Sequence, residues 1–288
     1  MEPIRLIACD LDGTLLDPEA NPRPASAARL RELAREGVLV ALATGRSWRT
    51  ALKIQQEIGI RGPIIAHNGA YLFDTAHEKD LYRRAVALGQ ARRMLAWADD
   101  MGIMLRCYLG FQHPVYFNRF TEAHRKHWLR PEDREVPGLH RVLPLGPLEM
   151  FLFGTYEVDL FIERWGLRGP GYELSVFQHG EAREVNVCAP LVDKVEALAA
   201  LCRHWHIAPD EVLAIGDGSN DVRMLRWAKA SVAVGGGSPL AQAAARYVTH
   251  NPDLEPVEEA LRWAERTYRF AARPLRAVGE PAWALGGE

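Results

Sequence analysis

The sequence predicts an α/β protein in which a parallel-sheet core is interrupted by a second, inserted α/β domain. Two observations lead to this fold class. Apolar runs alternate with helical patterns over residues 4–73, and the same alternation returns after residue 187. Between these regions, residues 85–186 carry aromatic-rich strand patterns and loops rich in Pro and Gly. Because alternating strands and helices with apolar strands are typical of parallel sheets covered on both faces, the two ends of the chain are expected to build one domain.

Five elements are predicted in order at the start of the chain. They alternate between strand and helix, at 4–8, 25–36, 38–44, 47–58 and 63–73. Gly37 and Gly59 follow the two helices, where a glycine commonly ends a helix. Asn68 and Gly69 interrupt the third strand with a strong turn signal. This order predicts three parallel strands joined by two helices.

The rest of the chain divides into an inserted part and a return to the core pattern. The inserted part is predicted to hold strands at 103–109, 115–118, 149–154 and 172–178, and helices at 88–100, 119–128 and 157–165. The return is predicted to hold strands at 211–218 and 230–237, and helices at 194–205, 221–227, 239–245 and 254–268. We therefore expect a core domain of residues 1–84 and 187–271 and an inserted domain of residues 85–186. Residues 272–288, rich in Pro, Gly and Ala, are expected to form a loose tail.

Composition narrows the range of partners. A net charge of −2 over 288 residues argues against nucleic acid or a membrane surface as the partner. No apolar run approaches the roughly 20 residues that span a bilayer, and no basic leader precedes the first strand. Four scattered cysteines without a CxxC pair are typical of a reduced, cytoplasmic protein: Cys9, Cys107, Cys188 and Cys202.

Polar residues collect where the predicted parallel strands end, the edge of an open α/β sheet at which ligands bind. The first strand ends in Asp10 and Asp12, the second in Thr44-Gly45-Arg46, and the late strand in Asp217, Asn220 and Asp221, while Lys194 opens the helix before that strand. Carboxylates placed together raise one another's pKa, and they tolerate this when a hard divalent cation lies among them. Oxygen ligands of this kind suit Mg²⁺.

Two acids in this arrangement can divide the work of phosphoryl transfer. One carboxylate attacks phosphorus and forms an aspartyl-phosphate. A second, two residues further on, gives a proton to the leaving oxygen and later takes one from water, which is typically worth about 10²–10⁴ in rate. The Thr44 hydroxyl, Lys194 and backbone N–H groups near Leu11, Asp12 and Gly45 are able to hold the phosphoryl oxygens.

Four motifs in this order resemble those of the haloacid dehalogenase (HAD) superfamily. They are DLDGTLL at 10–16, ATGR at 43–46, Lys194 and GDGSND at 216–221. The inserted domain falls where this superfamily places its C2 caps, and its strand and helix content is similar to that of the C2B, or Cof-like, type. HNGA at 67–70 resembles the NG loop of that subfamily. The resemblance implies a Rossmann-like HAD core with an inserted α/β cap.

The resemblance also implies a role for each residue of the motifs. Asp10 would be the nucleophile and Asp12 the general acid/base. The implied metal ligands are Asp10, Asp12 through its carbonyl, Asp217 and Asp221, the last directly or through a water. The implied phosphate-binding residues are Leu11, Thr44, Gly45, Lys194 and Asn220. Asn68 is a candidate substrate contact, and Arg46 is open between a substrate contact and a structural ion pair.

Together these observations predict a Mg²⁺-dependent phosphatase that hydrolyses a small phosphorylated metabolite, such as a sugar phosphate or a related phosphomonoester. The cap would close over the site and select the substrate. Two alternatives remain. A phosphomutase of the same superfamily would use the same residues, and a non-catalytic protein would bind a metabolite in a retired site. The sequence leaves open whether the protein is a monomer or a homodimer.

Overall fold

The structure is a computed structural model that describes residues 2–273. The chain forms two compact units, one from the chain up to Tyr82 and from Asp193 onward, the other from Arg83–Val192. The sequence placed the boundaries at 84/85 and 186/187. The second boundary differs because a strand spans Ala182–Cys188 and pairs on both sides within the inserted unit.

The described residues contain fifteen strands, numbered along the chain. They are β1 (Leu6–Cys9), β2 (Leu39–Ala43), β3 (Pro63–Ala66), β4 (Tyr71–Asp74), β5 (Lys79–Arg83), β6 (Arg106–Tyr108), β7 (Val115–Phe117), β8 (Asp133–Glu135), β9 (Glu149–Phe153), β10 (Arg168–Gly169), β11 (Tyr172–His179), β12 (Ala182–Cys188), β13 (Val212–Gly216), β14 (Ala230–Ala233) and β15 (Tyr247–Val248).

Ten α-helices lie in the same part of the chain. They are α1 (Pro24–Arg35), α2 (Trp48–Ile58), α3 (Leu88–Met101), α4 (Glu122–His127), α5 (Leu139–Val142), α6 (Thr155–Trp165), α7 (Lys194–Trp205), α8 (Val222–Trp227), α9 (Pro239–Ala244) and α10 (Pro256–Thr267). Helix α7 has the bounds that its sequence predicts. It begins there because the Asp193 side chain accepts the N–H of Val195 at 2.9 Å, which makes Lys194 the first helical residue.

The first unit is built on an eight-stranded sheet in the order β15-β14-β13-β1-β2-β3-β4-β5. Strand β1 lies near its middle, parallel to β2 on one side and β13 on the other, and all four of its residues are buried. Leu198, Leu201 and Trp205 of α7 join strand residues of this sheet in one apolar core. The predicted α/β core with a parallel sheet is confirmed, and its carboxyl edge is the place where β1, β2 and β13 end together.

One predicted strand of this unit is two strands. The run 63–73 was expected to be a single parallel strand with an interruption, but β4 turns back and pairs antiparallel to β3. The turn is possible because His67 and Asn68 adopt φ of 51° and 54°, followed by Gly69 at 99°. Residues of this kind in the left-handed region reverse the chain within a few residues.

The second unit has its own seven-stranded sheet in the order β10-β11-β12-β9-β6-β7-β8. Neighbouring strands are antiparallel except for β7 and β8. Helices α3 and α6 pack on one face of it, where alternate strand residues such as Leu152 and Val187 are buried in the core of the unit. The sequence missed β8 and β10 inside segments expected to be loops, because short edge strands carry few apolar residues. It also missed β12, a longer interior strand in which polar residues alternate with the buried Val185 and Val187.

The predicted tail at 272–288 lies mostly outside the described residues. Ala272 and Arg273 are described, and Arg273 packs on the first unit. Its N–H donates to the Gly37 carbonyl at 2.9 Å, and its guanidinium carbon lies 3.7 Å from the centre of the Trp205 ring. Within the described part of the chain, no helix has both the length and the apolar character that a membrane crossing needs.

Candidate active site

Strand β1 delivers Asp10 to the carboxyl edge of the first sheet. The Asp10 N–H continues the sheet pairing to the Ile215 carbonyl at 2.9 Å, and its side chain is only about one-twentieth exposed. The chain then makes one wide turn over Leu11–Leu15, closed by the Leu16 N–H on the Leu11 carbonyl at 2.8 Å. Gly13 in this turn has a φ of 72°, and a Cβ there would lie 2.3 Å from Asp217 Oδ2. Glycine is therefore required where the turn meets the late strand.

Lys194 holds two of the acids together. Its Nζ donates to Asp10 Oδ1 at 2.6 Å and to Asp221 Oδ1 at 2.7 Å, and all three side chains are buried. The second oxygen of Asp221 accepts the backbone N–H groups of Asp217 at 3.2 Å and Gly218 at 2.9 Å. Asp221 is thus anchored by hydrogen bonds on both oxygens, whereas Lys194 engages only one oxygen of Asp10.

Burial and neighbouring charges shift the pKa values of Asp10, Asp217 and Lys194. Burial raises the pKa of Asp10 to about 7, Lys194 opposes the rise, and the charges of Asp221 and Asp217 add to it. Burial and the charge of Asp221 also raise the pKa of Asp217. Burial would lower the pKa of Lys194, but the two acids that it contacts outweigh burial and raise it. The cluster therefore carries more negative charge than its one cation balances.

Three of the four predicted acids could hold a metal ion. Carboxylate oxygens of Asp10, Asp217 and Asp221 lie within 4.8 Å of one another. The Thr14 hydroxyl donates to Asp217 Oδ1 at 3.3 Å and orients that side chain, a contact that the sequence did not predict. Oxygen donors with an excess of negative charge fit Mg²⁺, which binds through a few carboxylates and keeps several waters.

The carboxylate of Asp12 lies outside this group of three. Its side chain is about half exposed and forms an ion pair with Arg46, whose Nε lies 2.8 Å from Asp12 Oδ2 and 3.0 Å from Asp12 Oδ1. Because the Asp12 carboxylate is paired with Arg46, the backbone carbonyl remains the Asp12 group that the family resemblance implies as a metal ligand. Arg46, for which the sequence left two roles open, forms the ion pair.

The end of β2 contributes a second polar group. Thr44 is buried, and its hydroxyl accepts the Arg46 N–H at 3.0 Å. The Thr44 carbonyl accepts the Asn68 N–H at 3.1 Å, and Asn68 Oδ1 in turn accepts from Asn220 Nδ2 at 3.0 Å. The structure therefore brings the ends of β2, β3 and β13 together through backbone and side-chain hydrogen bonds. A Cβ on Gly45 would lie 2.9 Å from Asn68 Oδ1.

His67 has a positioning role that sequence reasoning did not find. It is buried, and its Nε2 accepts the N–H of Trp48, the first residue of α2, at 3.2 Å. The neighbouring Gly69 approaches the start of α7 so closely that a Cβ would lie 2.2 Å from the Asp193 carbonyl oxygen. The loop after β3 thus fixes both α2 and the helix that carries Lys194. The Asn68-Gly69 turn signal indicated a tight loop here, but nothing in the sequence indicated that His67 would contact α2.

A family model described as haloacid dehalogenase-like hydrolase matches residues 7–261. Among curated relatives, the chain is 26% identical to the 5-amino-6-(5-phospho-D-ribitylamino)uracil phosphatase YcsE of Bacillus subtilis, covering 90% of this chain and 95% of that one. It is also 26% identical to the chloroplastic endoribonuclease YBEY of Arabidopsis thaliana. That match covers 92% of this chain but spans only 46% of the longer plant protein.

The fold also matches a solved structure. A haloacid dehalogenase-like hydrolase from Bacteroides thetaiotaomicron superimposes with a TM-score of 0.75 over 92% of this chain and all of the other, at 22% identity. At this sequence identity, the similarity shows a shared fold only. The match spans both units, so the solved protein also possesses the inserted part.

Proposed function

This chain belongs to the haloacid dehalogenase-like hydrolase family, and on that premise we propose that it is a Mg²⁺-dependent phosphatase of a small phosphorylated metabolite. The superfamily predicted from the four motifs is confirmed, and the enzyme class that follows is a hydrolase acting on phosphate esters. The observation that carries the finer proposal is the buried contact of Lys194 with Asp10 and Asp221, with Asp217 beside them.

Asp10 is the proposed nucleophile. In the first step its carboxylate oxygen forms a bond to phosphorus while the bond from phosphorus to the leaving oxygen breaks, which gives an aspartyl-phosphate. In the second step water attacks this phosphorus, the bond to the Asp10 oxygen breaks, and inorganic phosphate leaves. Lys194 orients the nucleophile, since its Nζ fixes Asp10 Oδ1 at 2.6 Å. The charge of Lys194 also lowers the cost of keeping that carboxylate ionised in a buried site.

Asp12 is the proposed acid and base for the two steps. It gives a proton to the leaving oxygen in the first step and takes one from the attacking water in the second. Its half-exposed side chain, outside the acid cluster, leaves it able to exchange protons with a leaving group. Because Arg46 donates to both carboxylate oxygens, this ion pair must open before Asp12 donates a proton. Arg46 is thus proposed to position Asp12.

The phosphoryl oxygens need hydrogen-bond donors at the carboxyl edge of the sheet. We assign this role to the Thr44 hydroxyl, Lys194, Asn220 and the backbone N–H groups at Leu11, Asp12 and Gly45. Mg²⁺, held by Asp10, Asp217, the Asp12 carbonyl and Asp221, would supply positive charge against the substrate phosphate when bound. The three clustered carboxylates alone would repel a phosphate dianion, so the proposal requires the cation.

The inserted unit is the proposed selector of the substrate. The name of the Bacillus subtilis relative gives a phosphorylated small molecule as the substrate of that protein, which supports a small phosphomonoester here. The net charge of −2 gives no electrostatic reason for a nucleic acid or membrane partner. We expect a cytoplasmic enzyme.

Phosphate release from a panel of phosphomonoesters tests the proposal. It should require Mg²⁺, stop with EDTA and be absent in Asp10→Asn. Substrate labelled in its phosphoryl group should also label the wild-type protein transiently and leave Asp10→Asn unlabelled. If the label passes from one sugar phosphate to another instead of to water, the protein is a phosphomutase. If a folded, Mg²⁺-loaded protein binds metabolites and turns over none of them, the non-catalytic alternative holds.

A further inference from the structure

Strand β11 of the second sheet is paired along one side and largely open along the other. Its register with β12 is continuous over residues 173–179. On the opposite side, within residues 2–273, β10 pairs only with Tyr172 and Glu173 of β11. The residues from Ser175 to Gln178 are all exposed. These four residues therefore form an open sheet edge, which we call the β11 edge.

The strands at the ends of the two sheets are short or charged, and the β11 edge differs from them. Strands β15 and β10 have two residues each, and all three residues of β8 are charged. Strand β5 carries Lys79, Asp80 and Arg83 among its five residues. Short and charged edges are common means by which a folded protein avoids pairing with other chains.

The β11 edge has none of these protections. Its sequence is Ser-Val-Phe-Gln, without a charged residue, Pro or Gly. Val176 is 36% exposed and Phe177 is 43% exposed, so apolar side chains lie on both faces of the strand beside the open backbone. An exposed, uncharged edge with apolar side chains is a template for a further strand. Such an edge is expected where a partner strand covers it.

We propose that a second copy of the chain covers the β11 edge, with the two β11 strands antiparallel about a two-fold axis at Phe177. The direction of the backbone groups sets this register. The Leu174 N–H donates towards β10, to the Leu167 carbonyl at 2.9 Å. Because backbone groups alternate along a strand, Val176 and Gln178 present their N–H and C=O groups to the same open side. Val176 then exchanges both hydrogen bonds with Gln178 of the partner subunit, and the symmetric pair does the same.

The chemistry of the β11 edge favours a second copy as the partner. A two-fold pairing joins the same surface on both subunits, and it uses the open backbone of both, so association stops at two. Self-pairing of this uncharged stretch places no like charges directly opposite each other. The nearest acid in the Phe177 row is Glu184 of β12. The two Glu184 residues would be three strand spacings apart, about 14 Å, which exceeds the screening length of about 8 Å at physiological ionic strength.

Cross-linking through introduced cysteines tests the register. In the proposed pairing Phe177 faces itself in a non-hydrogen-bonded pair, where the two Cα atoms lie about 4.5 Å apart. A disulfide accepts Cα separations of about 4.4–6.8 Å, so Phe177→Cys should form a covalent dimer under mild oxidation. Ser175→Cys is the matched control, because its two copies would be four residues apart along the strands, about 13 Å, and should not link. Wild-type protein, with its own four cysteines, should not link either.

Sedimentation of the reduced protein from about 1 to about 200 μM tests the association itself, over the range in which small interfaces form. Val176→Pro removes an N–H that β12 does not use, and Phe177→Lys places two charges opposite each other. Each variant should raise the dimer Kd at least about tenfold. Phe153→Lys is the matched control. Phe153 is 44% exposed and shares the row of Phe177, but it lies on β9, two strands from the open edge, so its Kd should change by less than about twofold.

Circular dichroism and the thermal unfolding transition of each variant establish that it is folded. Three results would overturn the inference. Wild-type protein that stays monomeric at about 200 μM would exclude a second copy and leave a strand of another protein as the occupant. Equal cross-linking of Phe177→Cys and Ser175→Cys would exclude the register. A dimer that persists unchanged in both folded Val176→Pro and folded Phe177→Lys would place the interface elsewhere on the chain.

Discussion

Buried carboxylates of the first unit differ in their surroundings, as Glu259 and Asp10 show. Glu259 on α10 accepts hydrogen bonds from the Tyr247 hydroxyl at 2.7 Å and from the N–H groups of His250 and Asn251 at 3.1 and 3.0 Å. Burial alone would raise the pKa of Glu259, but these donors outweigh it and lower that pKa. At the end of β1, by contrast, the pKa of Asp10 rises to about 7 because burial and other acids outweigh Lys194.

The difference separates a carboxylate that stabilises the fold from carboxylates that need a further partner. The oxygens of Glu259 meet donors, so the folded chain satisfies them itself. Asp10 and Asp217 each accept a side-chain hydrogen bond, from Lys194 and Thr14, but each also has an oxygen within 4.8 Å of other acids. A fold does not benefit from such crowding unless a cation or a reacting group enters it. Burial of an acid therefore says little about function until its neighbours are known.

Removing the nucleophile should have the largest effect. Asp10→Asn keeps the size of the side chain and can still accept a hydrogen bond from Lys194, but it offers no carboxylate to attack phosphorus. Phosphate release should fall by at least about a thousandfold. Asp100→Asn, on the exposed side of α3, is the control and should retain activity. Equal activity in the two variants would remove Asp10 from the chemistry.

Removing the cation of the cluster should lower the stability of the fold. Lys194→Met leaves Asp10 and Asp221 buried without the charge between them, so the free energy of unfolding in urea should fall by about 3–5 kcal/mol at neutral pH in EDTA. Lys53→Met, at a largely exposed lysine on α2, should change it by less than about 1 kcal/mol. A loss as small as that of the control would show that the cluster does not depend on its lysine.

Metal affinity should distinguish Asp217 from Asp12. Asp217→Asn removes one of the three clustered carboxylates, so Mg²⁺ affinity measured by calorimetry should fall about tenfold or more. Asp12→Asn should bind Mg²⁺ nearly as tightly as the wild type, because its carboxylate lies with Arg46 and its backbone carbonyl is retained. A greater loss in Asp12→Asn would place the Asp12 carboxylate on the metal.

The smallest effect is expected at Glu259, and it depends on pH. Since its pKa is lowered in the folded state, the stabilisation is present above the ordinary value of 4.5 and is lost as the pH falls below it. Glu259→Gln should therefore be less stable than the wild type by about 1 kcal/mol near pH 7, and the difference should shrink in acid. Unfolding in urea at pH 7 and pH 3 measures this, with Glu57→Gln at an exposed position of α2 as the control. A difference that grows in acid would contradict the assignment.

The core and the clustering of Asp10 and Asp217 could be predicted from the sequence, because both follow from where the apolar strands end. Apolar strands ending in polar residues indicate a parallel sheet, and the sheet alone predicts that Asp10 and Asp217 lie at one edge. The ion pair of Asp12 with Arg46 was not predictable, because it depends on side-chain directions across 34 residues of sequence. The return of β4 was missed for a similar reason, since an apolar run on each side of a turn has the same pattern in either direction.

Fewer of the strands of the second unit were predicted from the sequence. Strand β12 alternates in the manner of a half-covered strand, but its polar residues made it resemble a loop. Those same polar residues include Asn186, which lies between the buried Val185 and Val187. Sequence patterns that identify elements by their apolar residues are weakest where a strand has polar residues on one of its faces.

The position of β1 has a consequence for synthesis of the protein on the ribosome. Strand β1 emerges first, yet its partner β13 begins at Val212, after the whole inserted unit. Until then β1 has β2 on one side and an open edge on the other, which is a site for wrong pairing with other chains. Lys194, which pairs with Asp10 at the end of that strand, is synthesised 184 residues after it. The whole inserted unit is therefore synthesised before Asp10 and Lys194 can come together.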